Sequence, residues 1–250
     1  MKITLITGAT SGIGKATAEH LASLQYPLIL CGRRQERLNE LTEKLSKLTK
    51  IYTLNFDVRD KKEVQKAIDS LPNEWKNIEV LINNAGNAHG LSTIQEGDVE
   101  DWDLMLDINV KGLLYVSKAI MPMMIAQEKG HIINIGSLAG KEVYPRGNVY
   151  CASKYAVDAL TQGMRIDLNA HGIKVSGINP GLVETEFSLV RFKGNAERAA
   201  QTYQNFQPLM PQDIAEIIAF TISRPLHVNL ADILVLPNAQ ASATVVKKNQ

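Results

Sequence analysis

Two cysteines in 250 residues, Cys31 and Cys151, leave no framework for a disulfide-stapled fold. Neither stands near a histidine or a further cysteine cluster, so no metal site is expected. Charge is nearly balanced, at +1 net, and aromatic residues make up only 6% of the chain. Without a basic excess or an aromatic-interleaved basic patch there is nothing to hold a polyanion, and no nucleic-acid partner is expected. No apolar run reaches the length of a bilayer crossing, so no membrane partner is expected either. The chain opens directly on a strand-like run, Ile3 to Thr7, which leaves no room for a secretory leader. These absences together predict a cytoplasmic protein with reduced thiols. What is present, 45% hydrophobic and 21% charged residues, suits one globular α/β domain spanning 1–250.

Short apolar runs alternate with helical periodicity along the whole chain. Strands are predicted at Lys2–Thr7, Tyr26–Cys31, Ile51–Phe56, Ile78–Ile82, His131–Ile135, Ile173–Ile178 and Ile233–Leu236. Helices are predicted at Lys15–Leu24, Gln35–Leu48, Lys61–Leu71, Asp98–Gln127, Tyr155–Leu168 and Met210–Arg224. The 98–127 helix is expected to break or bend near Gly112 and again at Pro122. Ala239–Gln250 reads as a polar tail. No repeat or linker divides the chain, and the alternation argues one doubly wound, Rossmann-like parallel sheet of seven strands.

Gly8-Ala9-Thr10-Ser11-Gly12-Ile13-Gly14 follows the first strand and opens the first helix. Strand, glycine turn and helix together lay a pyrophosphate on a helix N-terminus, with Thr10 and Ser11 adding hydroxyl donors. The second strand closes on Gly32-Arg33-Arg34 with no acidic residue. In a dinucleotide fold that position faces the adenosine ribose, and arginines there accommodate the 2′-phosphate of NADP. Asp57, after the third strand, either accepts from the adenine amino group or caps the following helix. Asn83-Asn84-Ala85-Gly86 ends the fourth strand, permitting backbone approach to a cofactor and tying neighbouring strands, or simply turning the chain. Asn109, between Ile108 and Val110, is a buried asparagine that needs partners, as a structural bridge or as part of a proton relay. Ser137 lies just past the fifth strand, at the strand ends where open α/β sheets bind ligands. The 182–208 stretch has weak periodicity and reads as a substrate lid with short helices.

Asn148-Val149-Tyr150-Cys151-Ala152-Ser153-Lys154 is the stretch that concentrates the chemistry. Tyr150 and Lys154 share a helix face, and an adjacent ammonium favours the phenolate. A tyrosine so placed exchanges a proton with a substrate oxygen. Thirteen residues separate it from Ser137, enough loop to bring both hydroxyls to one carbonyl oxygen.

Taken together these residues resemble the short-chain dehydrogenase/reductase family. The motifs are Thr7-Gly8-x-x-x-Gly12-x-Gly14, Asp57, Asn83-Asn84-Ala85-Gly86, Asn109, Ser137, Tyr150-x-x-x-Lys154 and Pro180-Gly181. The resemblance implies a tetrad of Asn109, Ser137, Tyr150 and Lys154. In it Tyr150 is the acid/base and Ser137 orients the carbonyl or alcohol. Lys154 lowers the tyrosine pKa and holds the nicotinamide ribose, and Asn109 positions a water that relays protons to Lys154. It also implies cofactor contacts from Gly8, Thr10, Ser11, Gly12, Ile13, Gly14, Arg33, Arg34, Asp57 and Val58. Asn84, Ala85, Gly86, Tyr150, Lys154, Pro180, Gly181, Val183 and Thr185 complete that set.

A narrower similarity, in Gly32 to Leu38, Gly147 to Tyr150 and Glu186 to Gly194, is to the NADP-dependent 3-hydroxy acid dehydrogenases. It implies a homotetramer acting on serine, allo-threonine, 3-hydroxyisobutyrate or 3-hydroxypropionate, or on the carbonyl partner. Sulfoacetaldehyde or a broader set of ketones and aldehydes is the alternative, and an NADPH-binding sensor without turnover the most distant one. An acidic substrate needs an anchor as well as Ser137 and Tyr150. Arg146, four residues before Tyr150, is placed first for that role and Arg191, in the lid, second.

Overall fold

Strands buried on both faces read as continuous apolar runs, and helices must then cover each face. The computed structural model describes residues 2–249 and builds such a sheet. Among the described residues seven parallel strands run in the order β3-β2-β1-β4-β5-β6-β7. They are β1 (Ile3–Thr7), β2 (Leu28–Gly32), β3 (Ile51–Asn55), β4 (Ile78–Asn83), β5 (Gly130–Ile135), β6 (Ile173–Pro180) and β7 (Asp232–Val235). The helices are α1 (Gly12–Ser23), α2 (Gln35–Leu45), α3 (Lys61–Asp69), α4 (Val99–Leu106), α5 (Leu113–Ala126) and α6 (Asn148–Leu168). After β6 come two short helices, α7 (Phe187–Arg191) and α8 (Ala196–Gln201), and then α9 (Pro211–Ser223).

Successive side chains of a strand point to opposite faces, so each strand feeds two cores. Leu5, Ile29, Leu81 and Ile132 pack with Ile68 of α3, Val116 and Ile120 of α5 and Val157 of α6. Ile6, Leu30, Ile82 and Ile133 pack with Leu21 of α1, Leu38 of α2 and Ile218 of α9. The strand order reverses between β1 and β4, which opens a crevice above the carboxyl ends of the strands. A buried ladder stiffens that end: Asn83 Nδ2 donates to Ser117 Oγ and Asn134 Oδ1, both at 2.9 Å.

Three expectations are corrected here. The 98–127 helix does not break at Pro122, which lies inside α5. The irregularity is a π-helical turn over 107–112 that contains Asn109 and ends at Gly112. Wide turns of this kind re-aim one side chain without ending the helix. The run Val99–Ala126 is, by length and composition, apolar enough to cross a membrane, with mean hydropathy 1.2. In this fold it covers the sheet through Leu113, Val116, Ile120 and Met124. The polar tail turns back on itself instead of trailing away, pairing Gln240 with Val246 and burying Gln240.

Candidate active site

A cleft of about 560 Å³ runs across the carboxyl ends of the strands. Its floor at one end is the glycine turn between β1 and α1. Gly8 sits at φ +64°, a left-handed conformation that other residues rarely adopt. At Gly14 the approach is closer still: a Cβ there would come within 2.3 Å of the Gly8 carbonyl oxygen. Ser11 starts α1 without a side-chain cap, and no acidic residue occupies its first turn. The N–H groups and positive dipole end of α1 therefore remain available to an anion. Thr7 Oγ1 accepts from the backbone N–H groups of Asn84 and Ala85, each at 3.0 Å. Asn84 Nδ2 in turn donates to the Thr7 carbonyl at 2.9 Å, binding the two loops into one wall.

Arginines collect beyond that turn. Arg34 Nη2 donates to Thr10 Oγ1 at 3.0 Å and to Ser11 Oγ at 2.8 Å. Arg33 Nη1 reaches Asp57 Oδ2 at 3.3 Å. Asp57 also takes Arg59 Nη2 at 2.7 Å, and its carboxyl is held below the usual range against the cost of its burial. It caps nothing; Asp60 caps α3 by accepting from Lys62 and Glu63 N–H. Glu186, just before α7, accepts from Arg37 Nη1 at 2.9 Å and from Arg34 Nη1 at 3.3 Å. The sequence assigned no role to Arg37 or Glu186, since the pair is joined only when the segment after β6 folds over α2. These cations, the hydroxyls and the open helix terminus form the donor set that a dinucleotide bearing an extra phosphate requires.

Tyr150 and Lys154 project from the first turns of α6, one turn apart, and both are buried. Lys154 Nζ donates to the Ile135 carbonyl at 2.9 Å, and burial lowers its ammonium to about 8. Burial pushes the Tyr150 phenol well above its ordinary range, while the Ser137 hydroxyl and the Arg191 guanidinium pull it back down. That differs from the expected arrangement, in which Lys154 lowers the tyrosine: its ammonium turns instead to the end of β5. Ser137 Oγ accepts from Ala139 N–H at 3.1 Å, which fixes the serine at the mouth of β5. Asn109 does not reach the cleft. Its Oδ1 accepts from Asn87 N–H and its Nδ2 donates to the Asn87 carbonyl, both at 2.8 Å, and Nδ2 also meets Ser153 Oγ at 3.0 Å. The bridging reading of this buried asparagine is thus the one its contacts satisfy.

All the expected cofactor positions line the cleft except Gly14, which lies beneath the turn. Ser137 and Arg191 line it too. Arg191 Nε donates to the Gly90 carbonyl at 3.1 Å and Nη1 to Tyr144 Oη at 2.7 Å. Its guanidinium lies over the Tyr144 and Tyr150 rings, 5.4 and 5.5 Å from their centroids. Phe187, four residues earlier on α7, meets the Tyr150 ring edge-on at 5.6 Å. Arg146, expected to be the first anchor, does not line this cleft. It is exposed at φ +64° in the turn before α6 and borders an adjoining small recess that Tyr150 and Arg191 also line, with His89 and Asp101. Residues the sequence did not single out also face the cleft, among them Asn87, Tyr144 and Gln240.

This geometry agrees with comparison to known proteins. The profile of the short chain dehydrogenase family matches residues 2–196. Sulfoacetaldehyde reductase 2 of Chromohalobacter salexigens is 44% identical over 240 residues, covering 96% of this chain and 95% of that one. NADP-dependent 3-hydroxy acid dehydrogenase of Escherichia coli K12 is 43% identical over 242 residues, covering 96% and 97%. The closed form of serine dehydrogenase complexed with NADP+ superimposes with a TM-score of 0.93 at 42% identity, covering 99% of this chain and all of that one, 100%. The fold is thus shared over nearly the full length, and the chain belongs to the short chain dehydrogenase family.

Proposed function

We propose that this chain is an NADP(H)-dependent oxidoreductase that interconverts a small 3-hydroxy acid and its carbonyl partner. The observation that carries the acidic substrate is Arg191, a cation lying over the ring of the proton-transferring Tyr150. Arg33 and Arg34, with Thr10 and Ser11, hold the 2′-phosphate end of the cofactor, and Lys154 holds the nicotinamide ribose. When bound, the nicotinamide supplies or accepts the hydride at the substrate carbon. Ser137 orients the substrate oxygen, and Tyr150, protonated at neutral pH by its burial, delivers the proton to it. Lys154, one helical turn along α6, has its ammonium lowered by burial to about 8. The 182–208 segment acts as the lid, since α7 carries both Phe187 and Arg191 onto Tyr150.

A sulfonate fits the same guanidinium, and the reductase from Chromohalobacter salexigens acts on a sulfonate by its name, so sulfoacetaldehyde is the second reading. A cofactor-binding sensor is disfavoured by the complete set Ser137, Tyr150 and Lys154. The proposal includes a cytoplasmic homotetramer, supported by exposed apolar side chains on the long helices: Val99, Leu106, Tyr155 and Ile166. The test is a competition at one cofactor concentration among a carboxylate-bearing aldehyde, its sulfonate analogue and an uncharged ketone of similar size. Preference for the carboxylate is expected, with NADPH favoured over NADH by at least ~10-fold for the charge-assisted phosphate contacts. Equal turnover of all three carbonyls, or equal efficiency with both cofactors, contradicts it.

A further inference from the structure

Arg34 and Arg37 follow β2, Glu186 follows β6, and β1, β4 and β5 lie between those two strands in the sheet. Four inter-strand spacings of about 4.8 Å set the ends of β2 and β6 roughly 19 Å apart. Gly8, Asn84 and Gly136, at the ends of the three strands between, line the cleft. An ion pair that joins the β2 side to the β6 side therefore crosses the mouth of the cleft. Arg37 Nη1 donates to both oxygens of Glu186, at 2.9 and 3.0 Å, and Arg34 Nη1 donates to Oε2 at 3.3 Å. The same segment lays Thr185 on the glycine turn, with Cγ2 3.3 Å from where a Cβ would stand at Gly12. The Glu186 side chain is 46% exposed, and those of Arg34 and Arg37 are 45% and 42% exposed. A pair with this much water around it opens without stranding a buried charge.

A phosphate on the neighbouring arginines does not require Glu186 to leave. Arg33 is bonded through Nη1 to Asp57, and its other N–H groups are unused among the described residues. On Arg34, Nε and Nη2 go to Thr10 and Ser11, and Nη1 carries a second hydrogen beyond the one given to Glu186. We propose that Glu186 and Arg37 form a clasp across the cofactor cleft, which opens for the dinucleotide to leave and so sets its rate of release. This rests on the reading of the cleft as a dinucleotide site. Glu186 and Arg37 are positioning residues: they act through the lid they hold, and neither touches a reacting atom. Because the clasp holds the lid and not the nucleotide, it slows the release of NADPH and NADH alike.

The experiment measures release without turnover. Full-length enzyme loaded with NADPH or NADH is mixed in a stopped-flow instrument with excess NADP+ as a trap, and the fluorescence of the bound dihydronicotinamide is followed as it decays. Glu186→Gln is expected to speed the release of both cofactors by about 3- to 10-fold, since one exposed ion pair shifts an equilibrium by up to about 5-fold and Glu186 makes two. Arg37→Glu should speed both as well. The charge-swapped double variant, Glu186→Arg with Arg37→Glu, should release both more slowly than either single variant, a rescue that a merely structural defect would not show. Three results overturn the clasp and leave the NADP(H) reading intact. They are unmoved rates in Glu186→Gln, slower release of NADPH alone (the signature of a carboxylate that only repels the phosphate), and a double variant no slower than the single ones. A parent that binds neither dinucleotide overturns both.

Discussion

Replacing Arg191 with glutamine separates the anion anchor from everything else the residue does. Of the three guanidinium nitrogens, Nε is committed to the Gly90 carbonyl at 3.1 Å and Nη1 to Tyr144 Oη at 2.7 Å, while Nη2 is buried and unpaired. One charge-assisted hydrogen bond from that nitrogen to a carboxylate is worth roughly 1.5–3 kcal/mol, which is about 10- to 150-fold in kcat/KM. The guanidinium also pulls down the Tyr150 phenol, so its loss raises that group further and slows proton transfer for every substrate alike. The informative quantity is therefore the ratio of kcat/KM for a carboxylate-bearing aldehyde to that for an uncharged ketone, measured at fixed NADPH and pH 7. In Arg191→Gln the ratio should fall by at least ~10-fold, and Arg191→Lys, which keeps the charge but not the fork, should recover part of it. Arg146→Gln should leave the ratio where it was, because Arg146 does not line the cleft. A ratio unmoved in Arg191→Gln, or one that collapses in Arg146→Gln, refutes the placement of the anion.

The acid/base assignment predicts that Tyr150→Phe keeps NADPH binding, read by fluorescence titration, and loses at least ~10²-fold in kcat; near-parental turnover contradicts it. A second prediction concerns stability. His131 is buried on β5 with Nε2 2.8 Å from Ser176 Oγ, and burial beside Lys174 and Lys2 lowers its imidazole to about 3. The unfolded chain takes up that proton near 6.5 and the folded one does not, so this stabilisation is complete above about pH 6.5 and is lost as pH falls towards 3. From pH 7 to pH 5 the loss is about 2 kcal/mol. Urea unfolding of His131→Gln should show a correspondingly shallower fall than the parent, and identical pH slopes would show that the imidazole titrates freely in the folded state.

The inner strands were legible because their burial on both faces leaves apolar runs with abrupt polar ends. Tyr26 and Pro27 read as strand yet precede β2, an ordinary error at an element boundary. The phosphate turn and the Tyr150–Lys154 pair were legible because each is local: a few residues whose spacing alone sets their geometry. What sequence could not supply was contact between distant segments. Arg146 is four residues from Tyr150 and Arg191 is forty-one away, yet α7 carries Arg191 over the ring, while Arg146 stays exposed in the left-handed turn before α6. The same holds for Glu186 with Arg37 and for Gln240, whose Oε1 accepts from Leu182 N–H at 2.9 Å. Asn87 had a weaker signal. It follows Gly86 at the carboxyl end of β4, and only the folded chain shows that it lines the cleft.

The packing of α1 against α9 has a consequence for how the chain comes off the ribosome. Leu21 and Ala22 of α1 are covered by the second core, to which α9 contributes Ile214 and Ile218, and His20 Nδ1 lies 3.1 Å from Gln212 Nε2. Roughly 190 residues lie between the two helices, so at ordinary translation speeds α1 waits about 10–40 s for its partner. Its other neighbour, β1, is meanwhile paired on one side only, since β4 is made after β2 and β3. The nascent amino-terminal third therefore emerges with an apolar helix face and an open parallel edge in the middle of the future sheet, the combination that chaperones bind and that aggregates when they are absent.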